Sequence, residues 1–304
     1  MKKYILAGVA LCTLLLGCSN SNDWDVTSDL RVDKEDPTVG LTPLAETEGE
    51  DYAPLYWSVY GSLRQQEKDG SFPNIFTEDD WDKAADYVAT NLKPYGYDML
   101  VTDGFAAMIG EDGYMTGYSR SQKDENSPVV PLTTIVAKLK AKGLKLGVYD
   151  SPFWLHYSNP DAIIPGTENI KVSSLRYDPA IDTDVLHPQT DDKFWWVVTS
   201  HPGAEQYSEG FFKHYADLGV KFIRMDFLSW YEDGMNYNDK IDRGYGRDRY
   251  VKGMQWINKY AKKYGIYVSL VMPHLKNDAI IEKYAGNMIR IDADALEGSW
   301  YRFS

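Results

Sequence analysis

Cysteine is almost absent from this chain. Of 304 residues only Cys12 and Cys18 are cysteines, and no third is left downstream for a disulfide to hold the fold. Positive charge is also scarce. Thirty-two Lys and Arg stand against 45 Asp and Glu, a formal net charge of −13. So acidic a surface repels nucleic acid and anionic polymers, which removes nucleic acid as a partner and leaves neutral glycans as a better fit. The five His show no His-Glu-x-x-His or His-x-His spacing, so no metal is expected. No Gly-x-Gly-x-x-Gly follows the first strand-like run, which disfavours a nucleotide-binding sheet; no organic cofactor is expected either. The apolar run over residues 4–16 is too short to cross a bilayer stably.

What that short run does provide is an address. Lys2 and Lys3 precede it, and Leu15, Leu16, Gly17 and Cys18 close it, the pattern of a secretory signal with a lipobox. It resembles bacterial lipoprotein signals. That resemblance implies removal of residues 1–17, diacylation of Cys18, and a lipid anchor in the bacterial cell envelope, at the outer membrane or the periplasmic face. Residues 18–51 are polar and aperiodic and read as a flexible tether. The domain is expected over 52–304. With 43% hydrophobic and 14% aromatic residues, it has ample material for one large core. Its 23 Tyr and 9 Trp suit sugar rings and ordinary cores equally well.

Five glycines organise the domain. Gly96, Gly143, Gly219, Gly265 and Gly286 each follow a helical pattern, where a left-handed cap needs a residue without Cβ. Each precedes a short, uniformly apolar run that reads as a strand buried on both faces, hence parallel. Thr77 is an expected N-cap, followed by helical spacing at Trp81, Ala84, Ala85, Val88 and Leu92. Further helical stripes run through Leu132 to Leu139, Phe211 to Leu218, Tyr250 to Ala261, and Ala279 to Tyr284. The alternation predicts an α/β fold with a parallel sheet. A long insertion is expected near 151–203, after the third strand, where a functional loop or subdomain would sit.

Four of the strand-like runs end on carboxylates: Asp103, Asp150, Asp226, and Asp292 with Asp294. Carboxylates gathered at the C-terminal ends of parallel strands are the sequence pattern of a (β/α) barrel enzyme. Alternation puts Arg224 and Asp226 on one side of strand four, and Arg290, Asp292 and Asp294 on one side of strand six. An Arg beside Asp226 favours its ionised form. Two carboxylates facing one cavity are the minimum apparatus for glycoside hydrolysis.

Three segments carry a family resemblance: KGLKLGVY over 142–149, GVKFIRMD over 219–226, and RIDAD over 290–294 with GSW at 298–300. The chain resembles glycoside hydrolase family 27, the melibiase or α-galactosidase family, over roughly 54–300. The resemblance implies a (β/α)8 TIM barrel and a retaining exo-glycosidase. It implies Asp226 as nucleophile, Asp294 as acid/base, and Trp57, Asp103, Tyr149, Arg224 and Arg290 as substrate-binding residues. There are departures. Thr102 replaces the first of two adjacent Asp after strand two, and Arg224 replaces the usual Lys. Val271 stands where α-galactosidases carry a Glu that reads the 2-hydroxyl. Only about six βα units are present, and ten residues follow Asp294, so the resemblance implies an incomplete barrel. The expected activity is hydrolysis of terminal glycosidic bonds by double displacement. Alternatives are α-N-acetylgalactosaminidase, β-L-arabinopyranosidase or α-glucan cleavage on the same fold, or a non-catalytic glycan-binding lipoprotein.

Overall fold

The computed structural model describes residues 35–44, 53–68, 75–104, 107–122, 126–156, 159–178, 194–234, 236–237, 240–241, 244–273, 275 and 277–290. The chain divides between Asp36 and Pro37, and the fold described is that of the second part. The signal and lipidation residues 1–17 and Cys18 lie outside the described residues.

Six strands form one sheet: β1 Leu55–Ser58, β2 Tyr97–Val101, β3 Lys145–Tyr149, β4 Phe222–Met225, β5 Tyr267–Leu270 and β6 Met288–Ile289. They lie in sequence order and every neighbouring pair is parallel. The sheet curls into part of a TIM barrel. The helices are α1 Tyr60–Lys68, α2 Glu78–Tyr87, α3 Leu132–Ala141, α4 Ala204–Asp217, α5 Leu228–Asp233, α6 Arg247–Tyr264 and α7 Glu282–Ala285.

Thr77 caps α2 as expected. Its hydroxyl accepts from Asp80 N–H at 3.2 Å while the Asp80 carboxylate accepts from Thr77 N–H at 2.9 Å, a reciprocal box that satisfies two orphan donors. Four of the five strand-entry glycines are left-handed: Gly96, Gly143, Gly219 and Gly265. Gly286 is extended instead, at φ −121°. Its missing side chain serves packing, since a Cβ there would lie 2.8 Å from Leu270 Cγ. Helix α1 was not signalled by apolar spacing.

The two faces of the sheet bury different sets. Leu100, Leu146, Val148, Ile223, Met225, Val268 and Leu270 join the main core under the helices. Met99, Val101, Phe222 and Tyr267 form a second cluster, flanked by Tyr56 and Met288. This is the alternation of a strand covered on both sides. Two ladders tie α4 to α6: Glu205 meets Lys259 and Tyr260, and Glu209 meets Lys263 and Tyr264.

Within the span read as tether, residues 37–44 are docked on the domain. Asn258 and Asn287 donate to the Thr42 and Leu44 carbonyls at 2.8 and 3.0 Å, and Leu44 is buried in the core. Polar composition concealed this, because the bonds run through backbone carbonyls that carry no sequence signal.

The insertion near 151–203 contains an antiparallel pair, Trp154–His156 with Phe194–Trp196, and a short helical turn at Val172–Leu175. After β2 a small antiparallel sheet follows: Ala107–Ile109, Met115–Tyr118 and Val130–Pro131. His214 of α4 pins it, with Nδ1 2.9 Å from Asp112 Oδ2 and Nε2 2.8 Å from the Met115 carbonyl. Both ring nitrogens face acceptors, an arrangement that favours the imidazolium.

Candidate active site

The strands position the site through their parity. On the face turned away from the helices, β2 presents Met99 and Val101, and the same parity two residues on gives Asp103. Likewise β3 gives Tyr149, β4 gives Arg224 and then Asp226, and β6 gives Arg290 after Met288. All of these lie at C-terminal strand ends, the catalytic end of such a sheet.

These side chains meet. Tyr149 donates its hydroxyl to Asp226 Oδ2 at 3.0 Å, and Phe227 N–H donates to Asp226 Oδ1 at 2.7 Å. Arg224 Nη1 ion-pairs with Asp103 Oδ2 at 3.3 Å, and Arg224 Cζ lies 5.5 Å from the Tyr149 ring centroid. Asp103, Tyr149 and Asp226 are each buried. Arg290 exerts its charge on Asp226, and its N–H donates to the Leu270 carbonyl at 2.9 Å.

At Asp226 two effects oppose each other. Burial pushes its carboxyl up; the Phe227 N–H, Arg224, the Tyr149 hydroxyl and Arg290 offset only part of that. Desolvation thus outweighs the neighbouring Arg224 in setting the direction, and the carboxylate that Arg224 pairs with is Asp103. Burial, with Asp226 and Asp103 close by, drives the Tyr149 hydroxyl up as well, so Tyr149 stays a donor.

Two expectations are corrected. Trp57 does not join this group. It pairs in register with Leu100, whose side chain lies in the helix-side core, and its ring packs 6.1 Å from Phe76. The β1 residue on the site's face is its neighbour Tyr56, whose ring lies 5.0 Å from Phe222. Asp150 is also turned away. One residue past Tyr149, it points to the helix layer, where it accepts from the Tyr215 hydroxyl, from Ser151 N–H at 2.8 Å and from His156 Nε2 at 3.0 Å. It braces the start of the long insertion. Asp292 and Asp294 lie outside the described residues.

Three features were not read from the sequence. The first is Arg120, whose guanidinium packs on Gly104 directly after Asp103. A Cβ at Gly104 would lie 2.2 Å from Arg120 Nε, and φ there is +82°, so only glycine admits this approach. The second is Phe227, left-handed at φ 58°, stacked on Trp230 at 4.2 Å between centroids and 20° between planes. The third is a buried charge cluster behind the site. Arg247 Nη1 lies 3.6 Å from Glu232 Oε1 and 3.5 Å from Glu282 Oε1. It joins α5, which follows Asp226, to α7, which leads into β6 and Arg290. Among the described residues no group of three or more His, Cys, Asp or Glu is placed to hold a metal.

No family model matches the chain. It is 32% identical over 261 residues to the isomalto-dextranase of Arthrobacter globiformis, covering 83% of this chain and 38% of that protein. The solved structure of the Arthrobacter globiformis T6 isomalto-dextranase complexed with panose superposes with a TM-score of 0.66 at 30% identity, over 80% of this chain and 39% of that one. A family 27 β-L-arabinopyranosidase from Geobacillus stearothermophilus, solved with arabinose, shares the fold at TM-score 0.54 and 18% identity, over 85% of this chain and 55% of that one. These relatives are glycoside hydrolases. The chain spans about two fifths of the length of the isomalto-dextranase it matches.

Proposed function

We propose that the protein containing this chain is a retaining glycosidase acting on an α-glucan of the dextran type. One observation carries the reading: Asp226 is a buried carboxylate at the C-terminal end of β4, held by the Tyr149 hydroxyl and the Phe227 amide. A hydroxyl and an amide fix both oxygens, which orients the carboxylate as a nucleophile requires.

In the proposed reaction an Asp226 oxygen attacks the anomeric carbon while Asp294 gives its proton to the glycosidic oxygen. The bond from that carbon to the leaving oxygen breaks and a glycosyl ester forms. Asp294 then takes a proton from water, the water oxygen attacks the anomeric carbon, and the carboxylate of Asp226 leaves. Asp103, Arg224 and Arg290 would hold sugar hydroxyls. The α-glucan reading is favoured over an α-galactoside by the isomalto-dextranase likeness. Val271, buried and on the site's strand parity, agrees with it, since it offers no carboxylate to a sugar hydroxyl. The envelope location and the lipid on Cys18 belong to the same proposal and rest on the signal-like N-terminus.

The test is product stereochemistry. The full-length protein is given isomaltotriose and the first-formed product is followed by proton NMR. The α-anomer at early times is expected, with Asp226→Asn inert. An initial β-anomer, or an unaffected Asp226→Asn, would remove the retaining assignment. Binding of dextran without any hydrolysis would favour the glycan-binding alternative.

A further inference from the structure

Asp103 lies just beyond the sheet. The ladder between β2 and β3 reaches Thr102, whose N–H donates to the Gly147 carbonyl at 3.1 Å. Thr102 returns the tie through its hydroxyl, which accepts from Tyr149 N–H at 2.9 Å. Past that point the chain turns at Gly104, left-handed at φ +82°, and leaves for the small antiparallel sheet. Yet Asp103 is buried, and its carboxylate lies 3.3 Å from Arg224. A side chain placed this closely at a strand end needs support from the residues around it.

The small sheet supplies it. Tyr118, buried on the strand Met115–Tyr118, donates its hydroxyl to the Asp103 carbonyl at 2.9 Å. Burial raises the pKa of this phenol, so it stays a donor at neutral pH. Its ring meets Trp81 of α2 edge-on, 5.7 Å between centroids. Two residues further, Arg120 lays its guanidinium on Gly104, the approach that only glycine admits. The sheet is itself fastened elsewhere. The Tyr114 hydroxyl, at the head of the same strand, donates to the Tyr207 carbonyl of α4 at 2.8 Å, beside the pin from His214. The hold on Asp103 thus reaches back to two helices, α2 and α4.

We infer that Tyr118 and Arg120 are positioning residues of the active site. They hold the Asp103–Gly104 strand end so that the Asp103 carboxylate keeps its place beside Arg224 to receive a sugar hydroxyl. The inference rests on the glycosidase reading above and gives the sheet after β2 a part in substrate binding. The Tyr118 bond ends on a main-chain carbonyl and the phenol is buried, so it acts on substrate only through Asp103. Arg120 has a rival role. Its Nε–H is buried without an acceptor among the described residues, and direct donation to substrate would use it. The two roles differ in whether the effect of Arg120 depends on Asp103.

The test is a double-mutant cycle in the full-length protein: Tyr118→Phe, Arg120→Ala and Asp103→Ala, each alone, and the first two each combined with Asp103→Ala. Tyr118→Phe keeps the ring against Trp81 and removes only the donor. It should lose about three- to tenfold in kcat/KM on isomaltotriose, mostly through KM, as expected for one neutral hydrogen bond. Arg120→Ala should lose a similar factor. Beside Asp103→Ala both losses should shrink to less than about twofold, because the group they position is gone. Losses that persist in full would overturn the inference. For Tyr118→Phe they would mean a general loosening of the fold, and for Arg120→Ala a direct contact with substrate. Unchanged kcat/KM in both single variants would overturn it as well. Thermal melts check folding; should Tyr118→Phe fail to fold, the half-buried Arg120 carries the same cycle. If the unsubstituted protein does not turn over isomaltotriose, the glycosidase reading falls, and the cycle read as affinity for isomaltotriose still decides the inference.

Discussion

Tyr149 and Asp226 stand at the ends of adjacent parallel strands, and the phenol donates to the carboxylate at 3.0 Å. This bond stabilises the charged form of a carboxyl that burial pushes toward the neutral form. Tyr149→Phe should therefore raise the Asp226 pKa further, and the acid limb of the kcat/KM profile should move to higher pH. A hydrogen bond to a charged group contributes about 1.5–3 kcal/mol, so kcat/KM near neutrality should fall roughly 10- to 100-fold. An unmoved acid limb would mean that Tyr149 does not tune Asp226.

The same burial has a cost in stability. The Asp226 pKa is raised on folding, so its contribution is most favourable at low pH and is lost as pH rises through the folded value. Asp226→Asn keeps two polar atoms and removes the charge. It should melt above the unsubstituted protein at pH 8, by about 1–3 °C for a gain of order 1 kcal/mol, and lose that advantage at pH 4. Thermal melts at the two pH values decide it.

Arg247 lies between buried Glu232 and Glu282. Burial raises the Glu282 carboxyl above its usual range despite the neighbouring Arg247, which shifts it toward the protonated form. Arg247→Met should cost about 3–5 kcal/mol in urea unfolding, the loss expected when a buried carboxylate is left unpaired. Glu282→Gln should cost under about 1 kcal/mol and become relatively more stable as pH rises, because the raised pKa makes the native Glu282 a liability in alkali.

His214 gives a second pH signature. Its own burial lowers its pKa, but the bonds to Asp112 and the Met115 carbonyl outweigh that and the net direction is up. The pKa of Asp112 falls in turn: burial opposes the shift, but His214 outweighs it. A raised histidine stabilises below its unfolded value, about 6.5, and the contribution disappears as pH rises through the folded value. His214→Gln should thus be destabilised by about 1–2 kcal/mol at pH 5.5 and by less at pH 9. Urea unfolding at both pH values reads the difference.

The strand pattern and the family resemblance together made much of this site legible. Period-two alternation brought Asp103, Tyr149, Arg224, Asp226 and Arg290 to one face, because the strands are extended and parity survives to their ends. Two residues named without regard to parity fell on the other face. Trp57 and Asp150 each sit one residue out of phase and point to the helices. Phe227 could not be anticipated, since nothing in the sequence FLSW marks a left-handed phenylalanine; the tie from Ser229 to Met272 that accompanies it joins residues 43 apart in the chain. Residues 37–44 were hidden for a similar reason, being held through carbonyls by Asn258 and Asn287 on distant elements. The net direction at Asp226 was not readable because a sequence shows neighbouring charges but not desolvation.

The assignment of Asp226 as the nucleophile is tested most directly by chemical rescue. The full-length protein with Asp226→Gly is incubated with α-isomaltosyl fluoride and azide. With the carboxylate gone, azide enters the vacated space and displaces fluoride from the anomeric carbon with inversion. The account predicts a β-glycosyl azide, formed only when azide is present. Asp294→Gly should instead give the α-azide, since Asp226 still forms the ester that azide then opens. Unimpaired hydrolysis by Asp226→Gly, or an α-azide from it, would contradict the account.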